Sequence, residues 1–254
     1  MKKALILILL LTAPLAIHAS RTFNCDTDVM TVSSSDTALN IGGSAVSITM
    51  WINPTNTTAT GTYGIDAVRR AWLGSIQWRI MANDYNDYSR TGSWLAETAN
   101  LFETCDSSST QCGPLVANVW QHLAFTYGGQ AIFQYLNGKR GPGVLAPGPI
   151  TTYTTTVLIM DGPDVYPAHS YQYPATVCDV AIFSVTLNQA QINQLAIARK
   201  PANTLGLGSA LKGYWPLVGL WSPEPDWSGN NGNGTLTGST SAGPCPTDKY
   251  GDLE

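Results

Sequence analysis

The sequence predicts an all-β protein, a two-sheet antiparallel sandwich with one short peripheral helix near residues 187–199. Three observations carry this. After Arg21, apolar and polar residues alternate with period two through most of the chain. Turn residues, with 24 Gly and 15 Pro among them, cut the alternation into short runs. One stretch alone, LNQAQINQLAIARK, has apolar residues at helical spacing.

The first segment stands apart from that pattern. Lys2 and Lys3 precede an apolar run from Ala4 to Leu11, and Pro14 and small residues lead on to Ala19. These are the three parts of a secretory signal peptide, with cleavage expected after Ala19. The run is shorter than the roughly 20 residues of a membrane-spanning helix. Residues 20–254 are then expected as a single secreted, extracellular domain with no membrane attachment, and losing the two lysines makes the charge more negative by two.

The first strand is read from AVSITMWINP. Val46, Ile48, Met50 and Ile52 face one way, Ala45, Ser47, Thr49 and Trp51 the other, and Asn53-Pro54 ends the run. Residues Ser75 to Met81 form the next. Trp120 to Tyr127 is followed by Gly128-Gly129 and then AIFQYLNGKRG, where Asn137-Gly138 signals a tight hairpin. Thr156 to Met160, Val177 to Phe183, Leu211 to Trp215 and Gly234 to Thr237 complete the strands. In the helix, Leu187, Gln191, Gln194, Leu195 and Ala198 share a face, Thr186 is the expected cap, and Pro201 stops it.

Composition narrows the function. Only 12% of the chain is charged against 44% hydrophobic, which suits neither a coiled coil nor a charged disordered tail. A net charge of -4 provides no basic surface of the kind nucleic acid requires. Five cysteines fit an oxidising compartment. Cys105 and Cys112 bracket the polar loop CDSSSTQC and are expected as one bridge, worth roughly 2.5 kcal/mol for so short a loop. Cys25 and Cys245 lie near opposite chain ends, which meet in many domains, and are the preferred second pair. Cys178 would then be a buried small hydrophobe.

These residues resemble the laminin-G-like, concanavalin-A-like jelly rolls of the lectin-glucanase superfamily. SITMWINP is similar to the family's first core strand, WQHLAFTYGGQAIFQYLNGKRG to its central hairpin, and CDVAIFSVTLNQAQINQLAIARK to its strand-plus-helix end, with Asp179 at the usual acidic position. LKGYWPLVGLWSPEPDWSGNNGNGTLTG resembles a segment that such domains carry before the first core strand. Here it falls within residues 201–254, so it is expected as a permuted closing segment of the same sandwich. The resemblance implies binding of carbohydrate or of a protein surface, a theme that fold alone does not establish.

The same architecture hosts glycan hydrolases, so catalysis is tested first. Retaining hydrolysis needs two carboxylates about 5 Å apart. The Glu residues are Glu97, Glu103, Glu224 and Glu254, and none has a second carboxylate two or four positions away in a strand pattern. Glu224, between two prolines in SPEPD, reads as an exposed turn. His122 sits within a strand and reads as a hydrogen-bonded structural imidazole. No nucleophile elbow or phosphate loop is present, which argues against an enzyme.

Binding chemistry is better represented. The aromatic set is 8 Trp, 11 Tyr and 5 Phe, and much of it falls in loops. NDYNDYSRTGSW brings together Asp84, Tyr85, Asp87, Tyr88, Arg90 and Trp94, and DGPDVYPAHSYQYP offers Tyr166, Tyr171 and Tyr173. Flat rings that stack on sugar C–H faces, beside groups that satisfy hydroxyls, make these the candidate ligand residues. The oxygens of Asp84, Asp87, Asp161 and Asp164 are candidate ligands for Ca²⁺, a hard cation wanting six to eight oxygens. Asn56 and Asn233 fit the glycosylation sequon.

Two readings follow. One is a secreted, non-catalytic lectin-like module whose partner is carbohydrate or another extracellular surface. The alternative is a self-assembling subunit of an extracellular filament or surface layer, a homopolymer built by strand addition or by docking an N-terminal segment.

Overall fold

The computed structural model describes residues 20–24, 28–55, 57, 65–72, 75–82, 94–98, 101–105, 113–161, 174–218 and 221–247. Two antiparallel sheets face one another. Sheet I holds β1 (Arg21–Phe23), β3 (Val46–Pro54), β8 (Gln121–Tyr127), β9 (Ala131–Leu136), β10 (Lys139–Arg140) and β11 (Val144–Leu145). It also holds β13 (Ala175–Phe183), β14 (Leu211–Trp215) and β16 (Thr240–Ser241). Its order is β10-β9-β8-β3-β13-β1-β16, with β14 beside β13 and β11 beside β9. Sheet II runs β15 (Gly234–Thr237), β2 (Val29–Val32), β12 (Val157–Asp161), β4 (Ile65–Trp72), β5 (Ser75–Ala82), β6 (Trp94–Thr98) and β7 (Leu101–Cys105).

The alternating residues fill the space between the sheets. Val46, Ile48, Met50 and Ile52 meet Val68, Trp78, Ile80 and Ile159 in one fully buried cluster, each aliphatic side chain contributing about 1.5–3 kcal/mol. The opposite face of β3 is covered as well, with Ser47, Thr49 and Trp51 all buried. The cause is a second apolar layer outside sheet I. There Leu187, just before helix α1 (Gln189–Ala196), and Ile192 and Leu195 within it pack with Ala124, Ala181, Phe183 and Tyr214. The helix starts two residues later than its pattern predicts. Its cap is Asn188, not Thr186, in a reciprocal box with Gln191, while the Thr186 hydroxyl donates to the Tyr127 carbonyl.

Turn chemistry is equally specific. Asn137 and Gly138 both have positive φ, 52° and 82°, the backbone of a two-residue hairpin whose twist matches its strands. The closing segment contributes to both sheets: β14 pairs with β13, β16 with β1, and β15 with β2. The chain ends do meet, since Ser20 accepts the Ala242 N–H at 2.9 Å.

The cysteine pairing is a correction. Cys245 bonds to Cys178, with 6.1 Å between Cα atoms, so it is not paired with Cys25 and Cys178 is not a free thiol. Val177 points into the inter-sheet core, which turns Cys178, its neighbour on a pleated strand, outward. After β16 the chain crosses that outer surface and brings Cys245 to it. Cys25 and Cys112 lie outside the described residues, and of Cys105 only the backbone, ending β7, is described.

Candidate functional site

Two carboxylates, Glu224 and Asp179, are buried within the fold and held by hydrogen bonds. Glu224, expected in an exposed turn, is fully buried. Its backbone exchanges hydrogen bonds with Gly234 at 2.7 and 2.8 Å, its Oε1 accepts the Val218 N–H, and its Oε2 lies 3.4 Å from Arg21 Nε. Burial raises its pKa and the Arg21 charge opposes that rise. Asp179 sits in β13 with φ 55° and accepts from the Tyr214 hydroxyl, Thr247 and the Ala202 N–H. Burial outweighs those donors and pushes its pKa up to about 7. His122 is buried edge-on against Trp51, ring centres 5.2 Å apart, and its Nδ1 has no partner. The imidazole is therefore packed instead of hydrogen-bonded through that nitrogen, and desolvation lowers its pKa to about 3.

Open chemistry lies on the outer surface of sheet I. Thr240, Thr22, Thr176 and Asn53 fall in one register row across β16, β1, β13 and β3, with the Thr22 and Thr176 hydroxyls 2.8 Å apart. Trp120 directly precedes β8, whose first residue, Gln121, pairs with Ile52. The row thus ends beside an indole that is half-buried. Arg199, just past α1, and the segment Ala242 to Pro246, tied down through Cys245, complete a cleft of about 450 Å³. A flat ring, an amide, hydroxyls and one guanidinium are arranged around it.

The loop residues nominated from sequence are placed less fully. Asp84, Tyr85, Asp87, Tyr88, Arg90, Asp164, Tyr166, Tyr171 and Tyr173 lie outside the described residues, as does Asn56. Trp94 opens β6, paired through its backbone with Ala82 and Cys105. Asp161 ends β12 with its Oδ2 2.5 Å from Arg69 Nη2, so a guanidinium engages that oxygen. Among the described residues no three His, Cys, Asp or Glu side chains converge as a metal group. Asn233 is exposed, and its Oδ1 accepts the Asp226 N–H at 2.9 Å.

Four residues of the cleft, Asn53, Trp120, Thr176 and Arg199, were not nominated as site residues. They come from four separate stretches of sequence; strand register joins Asn53 to Thr176, while Trp120 precedes β8 and Arg199 follows α1. Pro174 is the first described residue after the nominated segment, and Ala175 opens the strand that carries Thr176.

A family profile described as "Concanavalin A-like lectin/glucanases superfamily" matches residues 26–193. Comparison with curated protein sequences gives no match. Among solved structures, one similar chain is a candidate carbohydrate-binding protein from Bacteroides ovatus, with 16% identity and TM-score 0.64. The match covers 91% of this chain and 61% of that one, so the chain spans less than two thirds of that protein's length. A second is a heptameric SAP-like pentraxin from Limulus polyphemus, with 11% identity and TM-score 0.57, covering 93% of this chain and 100% of that one. At these identities the likeness is one of fold.

Proposed function

Since the chain belongs to the concanavalin A-like lectin/glucanases superfamily, we propose that it is a secreted, non-catalytic module that binds carbohydrate in the Trp120 cleft. The observation that carries this reading is the cleft itself. A half-exposed indole offers a face for the C–H side of a sugar ring, and Asn53 and Thr176 beside it supply an amide and a hydroxyl matched to sugar hydroxyls. The non-catalytic part is supported by Glu224 and Asp179, each buried and engaged by neighbouring groups. The carbohydrate-binding description of the Bacteroides ovatus protein points the same way. The signal-peptide pattern of residues 1–19 and the Cys178–Cys245 bridge support secretion. Tyr166, Tyr171 and Tyr173, upstream of Thr176, are proposed as further contacts, and Asp84, Asp87, Asp161 and Asp164 as candidate oxygen ligands for Ca²⁺.

The test is retention on a glycan array by the purified protein and its Trp120→Ala variant. Retention by the parent and a loss of ~10-fold or more in the variant is expected, the scale of one stacking contact of about 1.5 kcal/mol. A folded parent that retains no glycan overturns the reading.

A further inference from the structure

Building on that reading of the cleft, we propose that its ligand is an acidic sugar, carboxylated or sulfated, whose anionic group is held by Arg199. Arg199 is the charged residue among those lining the cleft; Ser20, Asn53, Thr176 and Trp120 are neutral. It is exposed, and it makes no ion pair with a described carboxylate, unlike Arg21 and Arg69, which are paired with Glu224 and Asp161. In a chain of net charge -4 with only 12% charged residues, a guanidinium that faces a polar cleft with no ion pair among the described residues is a specific feature. Lys200, exposed beside it, adds to the positive potential.

The chemistry selects an oxyanion. Amide and hydroxyl groups suffice for the hydroxyls of a neutral sugar, whereas the planar fork of a guanidinium matches two oxygens of a carboxylate or sulfate. With the ring over Trp120, an acidic substituent at the ring's edge meets Arg199 across the cleft. The backbone is consistent with this role. Arg199 occupies the left-handed region at φ 51°, at a helix exit where glycine is the unstrained choice.

The experiment measures binding of uronate-containing, sialylated and sulfated oligosaccharides beside their neutral counterparts, using the parent, Arg199→Gly and Trp120→Ala. Glycine accepts this backbone, so Arg199→Gly is expected to melt at or above the parent temperature. It is expected to lose ~10-fold in affinity for acidic glycans, the scale of one charge-assisted contact, and nothing for neutral ones. Parent binding of acidic glycans is expected to weaken as salt rises. Equal binding of acidic and neutral glycans, or full acidic affinity in Arg199→Gly, overturns this inference. Loss of that binding in Trp120→Ala would then leave the carbohydrate reading standing. A folded parent that binds neither kind overturns both.

Discussion

Asp179 and His122 are both buried in sheet I, and burial moves their proton affinities in opposite directions. Asp179 is raised from 3.8 to about 7. Between those values the folded state holds a proton that the unfolded state has released, so this group's contribution to stability falls as pH rises from about 4 to 7. His122 is lowered from 6.5 to about 3. Over that range the unfolded state holds the extra proton, and the contribution rises with pH. The two slopes oppose one another between about pH 4 and 6.5. Replacing Asp179 by Asn removes one of them, and denaturant unfolding of the variant is expected to show stability climbing with pH more steeply than in the parent. Parallel profiles would show that Asp179 is ionised throughout. Glu224 shows why such residues were poorly legible. Its flanking prolines read as a turn, but Glu224 bridges to Gly234, and its carboxylate meets Arg21, 203 positions away.

At the scale of elements, the segment Ala242–Pro246 is a wall of the cleft held by one covalent tie. Cys178 and Cys245 close a span of 67 residues, for which chain entropy gives roughly 4 kcal/mol. Cys245→Ser is expected to lower unfolding stability by about 2–5 kcal/mol and also to weaken glycan binding. Calorimetry with titration checks both, and unchanged affinity would remove this segment from the site. Several strand positions were legible in the sequence because their causes are local, whereas β4, β6 and β7 were not read as strands. The runs Leu211–Trp215 and Gly234–Thr237 match the observed strands, and Asn137-Gly138 specifies its own backbone. Cystine pairing and the cleft were not legible. Each depends on which strands become neighbours: Cys178 meets Cys245 because the closing segment runs across β13, and Thr176 meets Asn53 because β13 pairs with β3. The short strands β1 and β2 carry too few residues for a period to register.

For the whole molecule, the closing segment is the organising feature. It adds strands to both sheets, places Glu224 against Arg21, and supplies the cleft's last wall. It also bears on self-assembly. Sheet I ends in the two-residue strands β10, made of Lys139 and Arg140, and β16. Short or charged edges are poor templates for strand addition, so strand exchange through sheet I is disfavoured. The central claim of the glycan-binding reading is where the sugar sits. The direct measurement is the structure of the protein with an oligosaccharide selected by array. The account predicts a sugar ring within about 4 Å of the Trp120 indole, with Asn53 and Thr176 in hydrogen-bond reach. A sugar bound elsewhere, with Trp120 uncovered, would contradict it.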